Sequence, residues 1–267
     1  LQRLLARAKR ALRGRGDMSR EVGLIVGSAR SELGLDIVSR SPTKTPFGEP
    51  SSPILEASFD GIRIACILRH GEASSIPPHA VNYRANLWAL HQHGVRRCVA
   101  LNAVGSIDSG FPPGELAVPE QLIDYTWGRE HTFCDGGSSE VVHVDFTNPF
   151  DPVLRGRIAA AAEAAECFIR SGVYGVMQGP RLETAAEVDR LERDGCTMVG
   201  MTAMPEAGLA RELGMEYAIC ALAVNHAAGR GCGDLDIHGQ MERYVAEGVA
   251  RLSAVVERLM PELCRSA

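Results

Sequence analysis

Apolar and β-branched residues gather in short runs, and stretches with helical spacing lie between several of them. The runs Val22–Val26, Ile62–Leu68, Arg97–Asn102, Leu116–Val118, Gly172–Met177, Thr197–Met201 and Glu216–Val224 have the length and composition of strands. Val81–His93 sets Val81, Ala85, Trp88 and Ala89 on one helical face. Pro152–Ala165 is alanine-rich, with Asp151 placed to cap it and Pro152 in its first turn. Glu183–Arg193, Met204–Glu212 and Gln240–Leu259 complete the helical set. Strands alternating with helices predict a single α/β domain, a central mixed β-sheet flanked by helices. No linker separates two cores and no repeat divides the chain.

Composition narrows the class. With 45% hydrophobic and 23% charged residues over 267 positions, the chain is globular rather than disordered or collagen-like. No uncharged apolar run is long enough to cross a bilayer, so no membrane partner is expected. Residues 1–17 hold six bases and one acid, a net +5, whereas the other 250 residues hold 22 bases and 32 acids, a net −10. An acidic body argues against a nucleic-acid partner.

The basic head, with Leu1, Leu4, Leu5, Ala8 and Leu12 at helical spacing, reads as an amphipathic helix, a targeting peptide or a frayed extension. Met18 is expected to open the functional domain, 18–267. The eight cysteines form no CxxC pair, and several sit in apolar runs. They read as small buried hydrophobes in a reducing, cytoplasmic compartment, with no metal site.

The strand ends carry the candidate chemistry. Gly27-Ser28, Arg69-His70-Gly71, Asn102–Ser106, Met201-Thr202 and Asn225-His226 each follow an apolar strand, and ligands of open α/β sheets bind outside such ends. Arg69 offers a planar, permanently charged fork for an oxyanion. Gly27 permits close backbone approach to Ser28, and Thr202 precedes a helix whose amides point outward. Taken alone, Ser28 and Thr202 are equally explained as turn and cap residues. No Walker loop and no GxGxxG fingerprint is present, which sets aside triphosphate and dinucleotide cofactors.

In this order the segments resemble the trimeric nucleoside phosphorylase family, which contains purine nucleoside phosphorylase and methylthioadenosine phosphorylase. The matching stretches are Thr45–Pro50, Arg69–Gly71, Val81–Asn86, Asn102–Ser106, Gln178–Glu187 and Gly200–Glu206, within a resemblance running from about Val22 to the C-terminal helix. The resemblance implies transfer of a pentose from a purine to inorganic phosphate, with phosphate as co-substrate and no cofactor. It implies a phosphate site of Ser28, Arg69, His70, Asn102, Ala103 and Thr202, with Met201 under the ribose and Asn225, His226 and Ala227 facing the purine. Asn225 and His70 would act directly in the chemistry. His143, in the segment His143–Phe150, is either a loop histidine or a group lent to a neighbouring subunit, and the implied assembly is a homotrimer or a dimer of trimers. The Tyr83 ring reads as core.

Three positions bear on the purine. Asn225 stands where adenine-selective members carry aspartate, and Ala227 where they carry a second acid. An amide can donate to a carbonyl O6 and accept from N7–H, whereas a carboxylate only accepts. Glu183 suits the N1–H of a 6-oxopurine, or is a helix-cap acid. His238 stands where a histidine meets the 5′-hydroxyl, or is a solvated histidine. Inosine and guanosine are therefore the expected substrates. The alternatives are S-methyl-5′-thioinosine, a hydrolytic nucleosidase and a non-catalytic purine or phosphate binder.

Overall fold

The computed structural model describes residues 21–27, 35–59, 61–134, 136, 141–231 and 237–265, so the basic head, Met18 and Ser28 lie outside the described residues. The strands are β1 (Val22–Val26), β2 (Asp36–Ser41), β3 (Ile54–Phe59), β4 (Ile62–Leu68), β5 (Arg97–Ser106), β6 (Leu116–Ala117), β7 (Gln121–Asp124), β8 (Ile169–Arg170), β9 (Val173–Val176), β10 (Met198–Gly200) and β11 (Glu216–His226). The helices are α1 (Tyr83–Gln92), α2 (Pro152–Ala164), α3 (Ala185–Arg193), α4 (Ala203–Glu212) and α5 (Ile237–Arg265). Among the described residues no helix is long and apolar enough to cross a membrane.

The sheet is mixed, in the order β2-β3-β4-β1-β5-β10-β9-β7, with β11 pairing β5 and β6, and β6 pairing β8. Its central strands read as unbroken apolar runs because both faces are buried. Period-two alternation sends Ile25, Ile67, Cys98, Ala100, Ile219 and Ala221 to a core with α1 and α4. Leu24, Cys66, Leu68, Val99, Leu101, Cys220 and Leu222 go to a second core with α2 and α5. Burial pushes the Cys66 and Cys220 thiols up to about 12, so they pack as hydrophobes.

Four strands escape the periodicity argument. β2 alternates exposed and half-buried residues at a sheet edge, and its Asp36, Ser39 and Arg40 leave no apolar run. β7 is a polar strand at the opposite end. β3 is interrupted by Glu56, and β8 is only two residues long.

β5 organises the functional end of the sheet. Its ten residues pair with β11 along one whole edge. The other edge is shared: β1 lies parallel to it as far as Val26↔Leu101, and β10 lies antiparallel at Val199↔Gly105 and Met198↔Ser106. On that second edge no described strand sits opposite residues Asn102 to Val104, and a cavity opens beside Ala103 and Val104.

Two glycines give opposite expectations. Gly156, in α2, is exposed with nothing within 4 Å of an added Cβ. Gly156→Ala is expected to stabilise by about 0.5–1 kcal/mol through helix propensity. Gly248, in α5, is buried with Leu222 Cδ2 at 2.9 Å and Cγ at 3.0 Å from an added Cβ. Overpacking of about 1–3 kcal/mol should outweigh the same propensity gain, so Gly248→Ala is expected to destabilise. Urea melts of both variants check the two signs.

Candidate active site

The cavity has a volume of about 460 Å³, and the ends of β1, β4, β5, β9, β10 and β11 converge on it. Gly27, Arg69, His70, Ala103, Met201, Thr202, Glu183 and Asn225 are among its lining residues. The sequence places all of these at strand ends or helix starts, and the fold brings them together.

At one end lies a buried ionic cluster. Arg69 is fully buried, and Nε and Nη2 each donate at 2.8 Å to a separate oxygen of Glu206, which is itself fully buried. Nη2 also donates to Asn102 Oδ1 at 3.0 Å, and Nη1 donates to the Leu101 carbonyl at 3.2 Å. Tyr217 donates its hydroxyl to Glu206 at 2.8 Å. Burial works against the Arg69 charge, but the adjacent carboxylate more than offsets it and holds the guanidinium above its usual range.

The expectation that Arg69 presents a free bidentate fork to an anion is thereby corrected. Among the described residues four of its five N–H donors are occupied, which leaves one on Nη1. That nitrogen lies 2.9 Å from the position a Cβ would take at Gly27, so the first strand end must be glycine for the backbone to pass.

Asn102 is also redefined. It is buried, and its side chain points into this network: Nδ2 donates to Thr202 Oγ1 at 3.0 Å and approaches the Tyr174 hydroxyl at 3.5 Å. Thr202 is the N-cap residue of α4, yet its hydroxyl makes no cap bond. Its oxygen accepts from Asn102 while its hydroxyl also neighbours Tyr174, and the residue lines the cavity. The explanation of Thr202 as a plain cap does not hold.

His70 lines the cavity with Nδ1 2.7 Å from the Ile76 carbonyl. A carbonyl only accepts, so Nδ1 carries the proton and Nε2 is the ring's acceptor. Burial, and then the Arg69 charge, lower its pKa and favour the neutral ring.

At the other end stand the base-facing candidates. Asn225 is buried and donates from Nδ2 to the His226 carbonyl at 2.6 Å, which leaves its second N–H and Oδ1. Glu183 is not the cap of α3. Thr184 holds that place in a capping box with Glu187, and burial raises the Glu183 pKa. Arg230 bridges Asp189 at 2.9 Å and Glu192 at 2.8 Å, tying the segment after β11 to α3 and hence to Glu183.

Ala227 is buried in a small cluster with Ile107 and Val199, outside the cavity lining. The His226 ring packs over Gly231 and His143 is exposed; neither lines the cavity. His238 falls in the first turn of α5. Tyr83 is core, with its hydroxyl donating to the Pro78 carbonyl at 2.9 Å. Asn82 caps α1 and donates to the Phe47 carbonyl, so Thr45–Pro50 and Val81–Asn86 brace each other away from the cavity.

Sequence reasoning passed over Glu206, Met241 and Arg129. Glu206 lies inside a quoted motif, but its contact depends on the non-helical Met204 that kinks the start of α4. Met241 reaches the cavity from α5, and a second, apolar hollow of about 60 Å³ shares it with Val26, Leu101, Leu222, Val224 and Val245.

An α/β sheet whose strand ends pair an oxyanion-suited pocket with a cavity for a small polar ring is the architecture of a nucleoside-handling transferase. The chain belongs to the Phosphorylase superfamily, whose profile matches residues 21–261. It is 50% identical over 232 residues to a probable S-methyl-5′-thioinosine phosphorylase of Xanthomonas campestris, covering 86% of this chain and 91% of that one. It is 41% identical over 214 residues to the 6-oxopurine nucleoside phosphorylase of Pyrococcus furiosus, covering 78% and 80% respectively. The fold matches the methylthioadenosine phosphorylase of Schistosoma mansoni solved with adenine, with a TM-score of 0.83, 28% identity, and 92% and 95% of the two chains covered.

The buried pair gives a stability expectation. Glu206→Leu leaves the Arg69 charge uncompensated and should cost about 3–5 kcal/mol. The double variant Arg69→Met, Glu206→Leu should lose less than the sum of the two single losses. A double-mutant cycle by urea unfolding measures the coupling.

Proposed function

We propose that this protein catalyses phosphate-dependent cleavage of a 6-oxopurine nucleoside, with S-methyl-5′-thioinosine as the preferred substrate. The products are hypoxanthine and a 5-methylthiopentose 1-phosphate. The observation that carries the 5′ preference is Met241, whose side chain lines both the cavity and the adjoining apolar hollow. An apolar wall suits a methylthio group, whereas a 5′-hydroxyl would lose its hydrogen bonds there. The similar Xanthomonas protein carries the thioinosine name. Inosine and guanosine, expected first from the sequence, become the second reading, favoured by the name of the Pyrococcus relative and by the position of His238.

Cleaving the N-glycosidic bond develops positive charge on the sugar and negative charge on the purine. Phosphate beneath the sugar stabilises the first and attacks the anomeric carbon as the bond to the base breaks. Thr202 Oγ1–H and the remaining Arg69 N–H are donors for that phosphate, and Nε2 of neutral His70 accepts a hydrogen bond from a phosphate hydroxyl. Because Glu206 neutralises Arg69, the acidic body binds the anion through directed donors rather than through a net field. Asn225 donates to O6 and, as N7 of the leaving base takes a proton from solvent, accepts from N7–H, while Glu183 accepts from N1–H. No cofactor enters this scheme.

The working assembly we propose is a homotrimer, or a dimer of trimers, in which a neighbour covers the cavity rim. Trp127 is 73% exposed and Val141 64%, more than large apolar side chains usually are, and His143 lies on the same segment as Val141. The proposed location is the cytoplasm.

Hypoxanthine release from S-methyl-5′-thioinosine should require phosphate, and kcat/KM should exceed that for inosine. Release without phosphate, or none from either nucleoside, would sink the reading. Asn225→Asp is expected to shift the ratio of 6-oxo to 6-amino substrates towards the amino form by roughly 10–100-fold, since a carboxylate meets O6 with repulsion. An unchanged ratio would remove Asn225 from base recognition.

A further inference from the structure

We propose that Arg129 is a positioning residue for the nucleoside half of the cavity, acting through Met201 and Gln178 without touching substrate. The proposal rests on the phosphorolysis reading above.

Arg129 is 8% exposed, and among the described residues no carboxylate pairs with it. Its guanidinium is instead held by neutral oxygens from separate segments. Nη1 donates to the Met201 carbonyl at 2.8 Å and to the Met204 carbonyl at 2.6 Å. Nη2 donates to the Gln178 carbonyl at 2.8 Å, and Nε donates to the Gln178 side chain at 3.1 Å. The plane lies over the Tyr83 ring, 5.7 Å from its centroid.

These carbonyls belong to chain that has just left regular structure. Gln178 follows β9, Met201 follows β10, and Met204 is the non-helical residue inside α4. Their carbonyls therefore lack strand or helix partners, and one rigid fork supplies donors to all three. A buried cation without a carboxylate is costly to keep, which argues for a demand on geometry at this point.

Both targets reach the nucleoside half. Met201 lines the cavity, and the Gln178 segment leads through Gly179 to Glu183. A Cβ at Gly179 would overlap the Met201 side chain, so these two segments are in direct contact. Arg129 thus holds the backbone of Met201 on one side, while the Gln178–Glu183 loop meets its thioether on the other. The phosphate-facing pair Arg69–Glu206 makes no contact with this fork.

The loop that carries Arg129 has other anchors. Glu130 pairs with Arg84 at 2.8 Å, and the Phe133 amide donates to Glu212 at 2.8 Å. Substitution of Arg129 should therefore leave the loop attached. Lysine keeps the charge but its three donors radiate from one nitrogen and cannot span three carbonyl sites.

The test compares Arg129→Lys, Arg129→Ala and Gln178→Leu with the wild type. Nucleoside affinity is read by calorimetry with S-methyl-5′-thioinosine in the absence of phosphate, and both KM values are read by hypoxanthine release. Both Arg129 variants are expected to weaken nucleoside binding and raise nucleoside KM by roughly 10–100-fold, with a smaller rise in phosphate KM transmitted through Met204 to Glu206. Guanidinium chloride at tens of millimolar should partly restore Arg129→Ala, and urea at the same concentration should not. Gln178→Leu should shift nucleoside KM in the same direction by less. Wild-type nucleoside affinity in both Arg129 variants would overturn the proposal, as would equal losses for nucleoside and phosphate that guanidinium does not relieve. If the Arg129 variants fail to fold, a kinetically silent Gln178→Leu overturns it. A wild-type protein that binds the nucleoside but releases no hypoxanthine contradicts the phosphorolysis reading and leaves the binding comparison in force.

Discussion

The buried pair between Arg69 and Glu206 is the contact on which the cavity depends. Two charges out of water are tolerated only where hydrogen bonds compensate them, and here the carboxylate takes two guanidinium donors and the Tyr217 hydroxyl, while the guanidinium also reaches Asn102 and a strand carbonyl. The direction of each bond then follows from the one before it. Arg69 can only donate, so Asn102 must present its oxygen to it and its nitrogen to Thr202. A fixed charge pair thereby orients the amide that holds a cavity-lining hydroxyl.

The sheet supplies the place for this network. A strand has two edges, and β5 gives one to β11 for its full length and divides the other between β1 and β10. The interval left between them is where Ala103 and Val104 face a cavity rather than another strand. The approach of Arg69 to Gly27 shows how little room remains at that junction, since any side chain there would meet the guanidinium. Substrate-sized space and anion donors come from one topological fact.

Much of the scaffold is legible in the sequence because both faces of the central strands are buried, so β1 and β4 appear as apolar runs with the limits they have in the fold. The strand ends stand out for the complementary reason, since polar residues break the central apolar runs there. Edge strands such as β2 carry no such contrast and are lost. Glu206 and Arg129 are illegible for a different reason. Their partners lie 137 residues away in one case and up to 75 in the other, and a charged residue inside a motif does not announce whether it faces water, substrate or a buried partner. Asn102 illustrates the limit most clearly: its position at the cavity is readable from the strand end, but its inward direction is set by Arg69. Ser28, and the side chain of His238, fall outside the described residues, so their expected contacts stay with the sequence argument.

The proposed phosphate site rests on a neutralised arginine and a hydroxyl held by Asn102. A crystal structure with phosphate and hypoxanthine bound tests this most directly. Phosphate oxygens are expected within hydrogen-bond reach of Thr202 Oγ1 and Arg69 Nη1, with the Arg69–Glu206 bonds intact and the purine against Asn225 and Glu183. Phosphate bound elsewhere, or an Arg69 fork swung away from Glu206 to clasp the anion, would contradict it.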